Sequence, residues 1–164
     1  MFDNYELISF EVDEGVCVGT ISAPPINVIT TALYRELVRL SQEIEEHDDV
    51  RVLVLRSADP DFFIAHFDVA TILQFPADEP AVRSDGENRF HAMCERFRTG
   101  NTVTIAEIDG RVGGGGGELS ASFDMRFGSV ENFVLCQSCT VGRACAALRA
   151  EREQRDTKDE HLYA

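Results

Sequence analysis

Ile105-Ala106-Glu107-Ile108-Asp109-Gly110-Arg111-Val112-Gly113-Gly114-Gly115-Gly116-Gly117-Glu118-Leu119 decides how the chain reads. Thr102 to Ile108 is a strand signal, and Glu118 to Phe123 reads as a helix opening. Between them lie Asp109-Gly110 and then five consecutive glycines. A strand, a glycine-rich turn and a helix N-terminus make a place for negative charge. A phosphate loop needs a Lys after the glycines, and none follows. A dinucleotide fingerprint needs G-x-G-x-x-G; counted from Gly113 the third glycine falls on Glu118, and no other start works. An oxyanion hole remains, in which bare main chain lets a substrate oxygen approach two N–H groups. A carboxylate a few residues on can then act as acid or base beside that oxygen. Opposed to it stands a plain turn in which Glu118 only caps the helix.

Working upstream, Tyr5 to Phe10 and Val16 to Ser22 read as two strands around the hairpin punctuation Asp13-Glu14-Gly15. Ala23-Pro24-Pro25 breaks the sheet. Thr30 and Thr31 are candidate caps of a helix whose Leu33, Leu37, Leu40 and Ile44 form one apolar stripe. Glu43, Glu45, Glu46, Asp48 and Asp49 end it as a solvated acidic cluster. Val50 to Leu55 is a buried strand. A loop then leads to Phe62-Phe63-Ile64-Ala65-His66-Phe67-Asp68, with a short helix starting near Asp68. Pro76 to Asp85 reads as a loop. Phe90, Met93, Cys94 and Phe97 mark a second amphipathic helix, in the one stretch with basic character (Arg83, Arg89, Arg96, Arg98). Strand-strand-helix-strand is an α/β pattern.

The 164 residues fit one domain, and 44% hydrophobic positions suffice for a core. Fifteen basic against 29 acidic residues give a net charge of −14, which argues against nucleic acid and against anionic membrane surfaces. No apolar run approaches the roughly 20 residues of a membrane span. Met1 to Glu6 lacks a basic leader region, so a soluble, cytoplasmic protein is expected. The five cysteines, Cys17, Cys94, Cys136, Cys139 and Cys145, are read as incidental thiols; the lone Cys136-Gln137-Ser138-Cys139 lacks a second paired element for zinc or a strand-to-helix turn for redox work. No metal site is expected.

The glycine run with Glu118, followed by Asp124-Met125-Arg126, resembles the crotonase family, the enoyl-CoA hydratase/isomerase superfamily, whose usual form here is A-x-x-x-G-x-x-x-G-G-G-x-E-L and then D-x-R. Ile26-Asn27-Val28-Ile29 resembles the family's L-N-A-L, and Phe63-Ile64-Ala65-His66-Phe67-Asp68-Val69 its F-x-A-G-x-D-L. The resemblance covers roughly residues 5 to 135. It implies an α/β spiral of strand-strand-helix units and an acyl-CoA thioester as substrate, with no separate cofactor. It further implies that the N–H groups of Ala65 and Gly115 hold the thioester oxygen, and that Glu118 positions or deprotonates water. Ala65, His66, Phe67, Asp68 and Gly115 would line the substrate path. Family members form homo-trimers.

The chain also departs from the pattern. The family's small Gly in A-G-x-D is His66, for which a packing or loop role is the plainer reading. His47 and His91 read as surface or boundary residues, and Asp124 with Arg126 as a brace for the helix end. Arg126 to Leu135 follows the family's R-F-A-S-x-E-N-A-V-L, but Cys136 to Gly142 replaces G-Q-P-E-x-G. Ser138 or Cys139 stands near the place of the second catalytic Glu, and Glu131 lies too early. The expected organisation is therefore a crotonase-like core over 1–135 and a divergent, poorly ordered tail over 136–164. A frameshift, deletion or alternative end would explain a fold incomplete at its C-terminus, without the trimer-forming helices. Two functions follow: an enoyl-CoA hydratase/isomerase-type enzyme, or a catalytically inactive relative that only binds CoA or a partner chain.

Overall fold

The structure, a computed structural model, describes residues 2–73 and 88–136. The spans read as the loop at Pro76 to Asp85 and as the tail lie outside the described residues, apart from Cys136 at the end of the last strand.

Strand β1 (Ile8–Asp13) pairs antiparallel with β2 (Val16–Ile21) through a tight turn at Glu14-Gly15. The chain then crosses through helix α1 (Thr31–Glu43) to β3 (Val52–Ser57), parallel to β2. After β4 (Phe62–Ile64), α2 (Val69–Ile72) and α3 (Arg89–Thr99), β5 (Val103–Ile108) adds parallel to β3. β6 (Arg111–Gly113), α4 (Gly115–Ser122), β7 (Met125–Gly128) and β8 (Val134–Cys136) complete the described elements. A five-stranded sheet runs β1-β2-β3-β5-β7, and a second sheet runs β4-β6-β8. This is the expected α/β architecture of repeating strand-strand-helix units.

The stripes find their places. Thr30 is the N-cap of α1, its hydroxyl accepting from the Leu33 N–H at 3.3 Å. Leu33, Leu37, Leu40 and Ile44 are all buried, Ile44 in a 3₁₀ turn that prolongs the helix. Met93 and Phe97 are buried on α3, while Phe90 and Cys94 are half-buried. Leu53, Leu55, Ala106 and Ile108 supply the sheet's side of the core.

Two expectations shift. The first strand begins at Ile8 rather than Tyr5, because Tyr5 is drawn off to α1. Its hydroxyl donates to Glu43 at 3.0 Å and its ring lies under the Arg39 guanidinium, 4.2 Å from the centroid. Glu43 consequently leaves the solvated acidic cluster, since it also pairs with Arg39 at 2.5 Å.

Asn27 ties the first unit to the second. It is 1% exposed and sits at φ +50°, a left-handed conformation that Asn tolerates. Its Oδ1 accepts from Ala23 N–H at 2.7 Å. Its Nδ2 donates to Ser57 Oγ at 2.7 Å and to the Phe62 and Phe63 carbonyls at 3.2 Å. One amide thus joins the end of β2, the end of β3 and the whole start of β4. Asn27→Gly keeps the backbone conformation and deletes these bonds. It is expected to lower unfolding free energy in urea by about 2–3 kcal/mol, because buried amide and carbonyl groups lose partners. A change below about 0.5 kcal/mol would show the hub to be dispensable.

Candidate active site

Two segments converge on one point: the loop leaving β4 and the turn between β6 and α4. The loop is held by a bridge to the segment before α1. Ile29 N–H donates to the His66 carbonyl at 2.9 Å, and Asp68 N–H donates to the Ile29 carbonyl at 3.0 Å. β6 pairs parallel with β4, carrying the glycine turn alongside that loop.

Helix α4 starts at Gly115, three residues before the helix expected from sequence. Glycine propensity opposes that start, so packing must supply it. A Cβ on Gly116 would lie 2.6 Å from Ile64 Cβ and 2.7 Å from the Ile64 carbonyl oxygen. Hydrogen alone permits α4 to press on β4 this closely. Gly114 turns the chain into the helix at φ +48°, ψ −126°, a region closed to other residues. A Cβ there would come within 3.5 Å of His66 Cβ, which measures how tightly turn and loop are apposed.

The first intrahelical bond runs from Glu118 N–H to the Gly114 carbonyl at 3.1 Å. The Gly115, Gly116 and Gly117 N–H groups precede it, so they have no helical partner one turn back, and they lie at the positive end of the helix dipole. Glu118 is exposed on this first turn. It does not cap the helix: the N-cap is Gly114, with no side-chain cap bond.

The other singled-out residues fall around this centre. Ala65 is half-buried directly after β4. His66 is exposed, and its Nδ1 donates to the Phe67 carbonyl at 2.8 Å. The bulk that the family's Gly lacks is thus directed to solvent. Phe67 is half-buried. The Asp68 carboxylate caps α2, accepting from Ala70 N–H at 3.0 Å and the Thr71 hydroxyl at 2.8 Å. His66 and Phe67 are therefore brought against Gly114 and Gly115, with Ala65 just before them in the same loop, while the Asp68 side chain serves the next helix.

Asp124 and Arg126 brace the far end of α4. Arg126 Nη1 donates to the Ser120 and Phe123 carbonyls at 3.2 and 2.5 Å. The Asp124 carboxylate accepts from Thr104 N–H at 2.8 Å and from its hydroxyl at 2.9 Å, and these bonds hold its pKa below the usual range. Cys17 is buried in the core, which pushes its thiol up to about 11. Cys94 is likewise raised by burial, with a bond to Ser122 opposing. Neither is an activated nucleophile. Among the described residues no group of His, Cys, Asp and Glu could hold a metal ion, and no helix is long and apolar enough to cross a membrane.

Sequence reasoning missed the aromatic wall of this centre. Tyr34 of α1, Phe67 of the loop and Phe90 of α3 form a triangle with ring centroids 6.1–6.3 Å apart. Phe67 Cβ and Phe90 Cζ each lie 3.6 Å from where a Gly115 Cβ would stand. The i, i+3, i+4, i+7 pattern marked Phe90 as apolar but carried no sign of its partners.

This arrangement of a β4 loop against a glycine-started helix coincides with a family match. The model of the enoyl-CoA hydratase/isomerase family matches residues 11–142. The chain belongs to that family. It is 31% identical over 125 residues to a fatty acid oxidation complex subunit alpha of Aliivibrio fischeri, covering 73% of this chain and 18% of that one. It is 29% identical over 119 residues to a probable enoyl-CoA hydratase of Bacillus subtilis, covering 73% of this chain and 45% of the relative. A putative enoyl-CoA hydratase structure from Streptomyces avermitilis superposes with a TM-score of 0.68 at 33% identity, over 81% of this chain and 49% of that one. The chain thus spans half or less of the length of these relatives.

The contacts at neighbouring glycines separate their roles. A Cβ on Gly115 meets only ordinary contacts at 3.4–3.6 Å, whereas one on Gly116 collides with backbone. Gly115→Ala is expected to leave unfolding free energy within about 1 kcal/mol of the parent. Gly116→Ala should lower it by about 3 kcal/mol through overpacking. Equal effects in urea unfolding would contradict this packing.

Proposed function

We propose that the chain is an acyl-CoA-binding enzyme of the hydratase/isomerase type, which stabilises a thioester enolate between the N–H groups of Ala65 and Gly115. The observation that carries this reading is the apposition of the β4 loop with the Gly114–Gly115 turn, Gly115 standing at a helix start. Peptide N–H groups held by two packed segments do not have to reorganise when negative charge grows on the thioester oxygen. Such a donor is worth about 10²–10³ in rate.

Glu118 is the acid/base in this reading. It lies one helical turn beyond Gly114, is exposed and has no capping duty. In hydration its carboxylate takes a proton from water as the water oxygen attacks Cβ. The π electrons move onto the thioester oxygen, and a proton then returns to Cα. In isomerisation the same carboxylate removes a proton next to the enolate system and returns it to another carbon. The second reaction needs one base only, which suits a chain with Ser138 or Cys139 near the place of the second family carboxylate. Ala65 to Asp68 border the path of the CoA arm, and no further cofactor is required. A homo-trimer of the family's kind would require the trimer-forming helices, in whose place this sequence carries the divergent stretch from Cys136 onward.

Crotonyl-CoA hydration and 3-enoyl-CoA isomerisation should be assayed on the pure protein and on Glu118→Gln. Activity that falls about 10²–10⁴-fold in the variant supports the proposed base. Activity untouched by Glu118→Gln removes it. Acyl-CoA binding by calorimetry with no turnover in either assay would favour the non-catalytic relative.

A further inference from the structure

Three apolar side chains from three separate elements crowd one side of Gly115. From the position that a Gly115 Cβ would take, Ile29 Cδ1 lies at 3.4 Å, and Phe67 Cβ and Phe90 Cζ each lie at 3.6 Å. Ile29 precedes α1, Phe67 belongs to the loop after β4, and Phe90 stands in the first turn of α3. Standard bond lengths carry that measurement back to the main chain: Phe90 Cζ is no more than about 6 Å from the Gly115 nitrogen.

Phe90 is fixed there from several directions. Asn88 Oδ1 caps α3 by accepting from the Phe90 N–H at 2.9 Å, which sets where the helix starts. The Phe90 ring stacks with Tyr34 of α1 at 6.3 Å and 23°, and meets Phe67 edge-on at 6.3 Å and 79°. Tyr34 in turn meets Phe67 at 6.1 Å. All three rings are half-buried and pack against the core. Each ring obstructs the swing of the other two, and close-packed surroundings leave little space to swing into. The group therefore stands as a wall beside Gly115.

An acyl thioester held by the Gly115 N–H has to lead its hydrocarbon away over apolar surface, and the rings supply such a surface beside that donor. With the thioester oxygen about 3 Å from the nitrogen, a chain heading for the rings meets Phe90 within about four to six carbons, at C–C bonds of about 1.5 Å. We propose that Phe90, backed by Tyr34 and Phe67, closes the acyl pocket at that length, so that the site takes short acyl thioesters and Phe90 sets the limit. The inference deepens the proposed function and rests on its placement of the thioester at Gly115. A longer chain enters only by displacing a packed ring, which forfeits the ring's contacts and strains its neighbours.

Calorimetric binding of saturated thioesters tests this without requiring turnover. Butyryl-CoA and decanoyl-CoA share the CoA arm and differ by six methylenes, each of which would tighten binding about fourfold on entering an apolar channel. The parent protein is expected to bind decanoyl-CoA no more than about threefold tighter than butyryl-CoA. Phe90→Ala should shift the ratio of the two dissociation constants towards decanoyl-CoA by about tenfold or more. Phe90→Leu, which keeps an apolar side chain on α3, should shift it the same way by less. Phe97→Leu replaces a buried ring of the same helix that packs on Phe123 at 5.0 Å, and should leave the ratio at the parent's value. Circular dichroism checks that each variant is folded. Decanoyl-CoA bound by the parent about tenfold tighter or more, or a ratio unmoved by both Phe90 variants, overturns the inference while leaving the thioester reading intact. A shift in Phe97→Leu as large as that in Phe90→Ala would trace the effect to general loosening of α3, and overturns it too. Failure of both thioesters to bind overturns the thioester reading and this inference with it.

Discussion

Gly116 lies against Ile64 at a distance that no other residue could keep, with the position of a Cβ only 2.7 Å from a backbone oxygen. That contact packs helix α4 on strand β4 of the second sheet. It brings the start of α4 onto β4, next to the chain as it leaves that strand. The bridge from Ile29 to Phe67 fixes that loop from the opposite side, and Asn27 fixes the strand that feeds it. In the proposed reading this rigidity would matter chemically, since donors aimed at a growing charge act best when they need not move.

The same contact explains a local contradiction. Five glycines are poor helix formers, yet α4 includes three of them. Each costs about 1 kcal/mol relative to alanine. Burial of Leu119 and Phe123 and the Arg126 bonds at the helix end offset that cost. Local preference is sacrificed where main-chain proximity is needed, which is the pattern of a functional site.

How much of this is legible in the sequence depends on range. The stripe Leu33, Leu37, Leu40, Ile44, the cap Thr30 and the strand at Thr102 to Ile108 are written in local periodicity, and the structure places them accordingly. β4, β6, β7 and β8 span three or four residues each, too few to show alternation, and exist because distant partners pair with them. The family motifs point to Ala65, Gly115 and Glu118 as candidates but say nothing of how the surrounding chain is held. Asn27 bonds to groups 30 to 36 residues away, and Tyr34 meets Phe90 across two helices. The early start of α4 was hidden for the reason given above: its cause is Ile64, not a neighbour in sequence.

The central claim is that Ala65 and Gly115 act together on one oxygen. A crystal structure with butyryl-CoA, a saturated thioester that cannot be hydrated, tests it most directly. The account predicts the thioester carbonyl oxygen about 2.7–3.1 Å from both amide nitrogens, with the Glu118 carboxylate facing the acyl carbons. A thioester seated with its oxygen away from either nitrogen would contradict it.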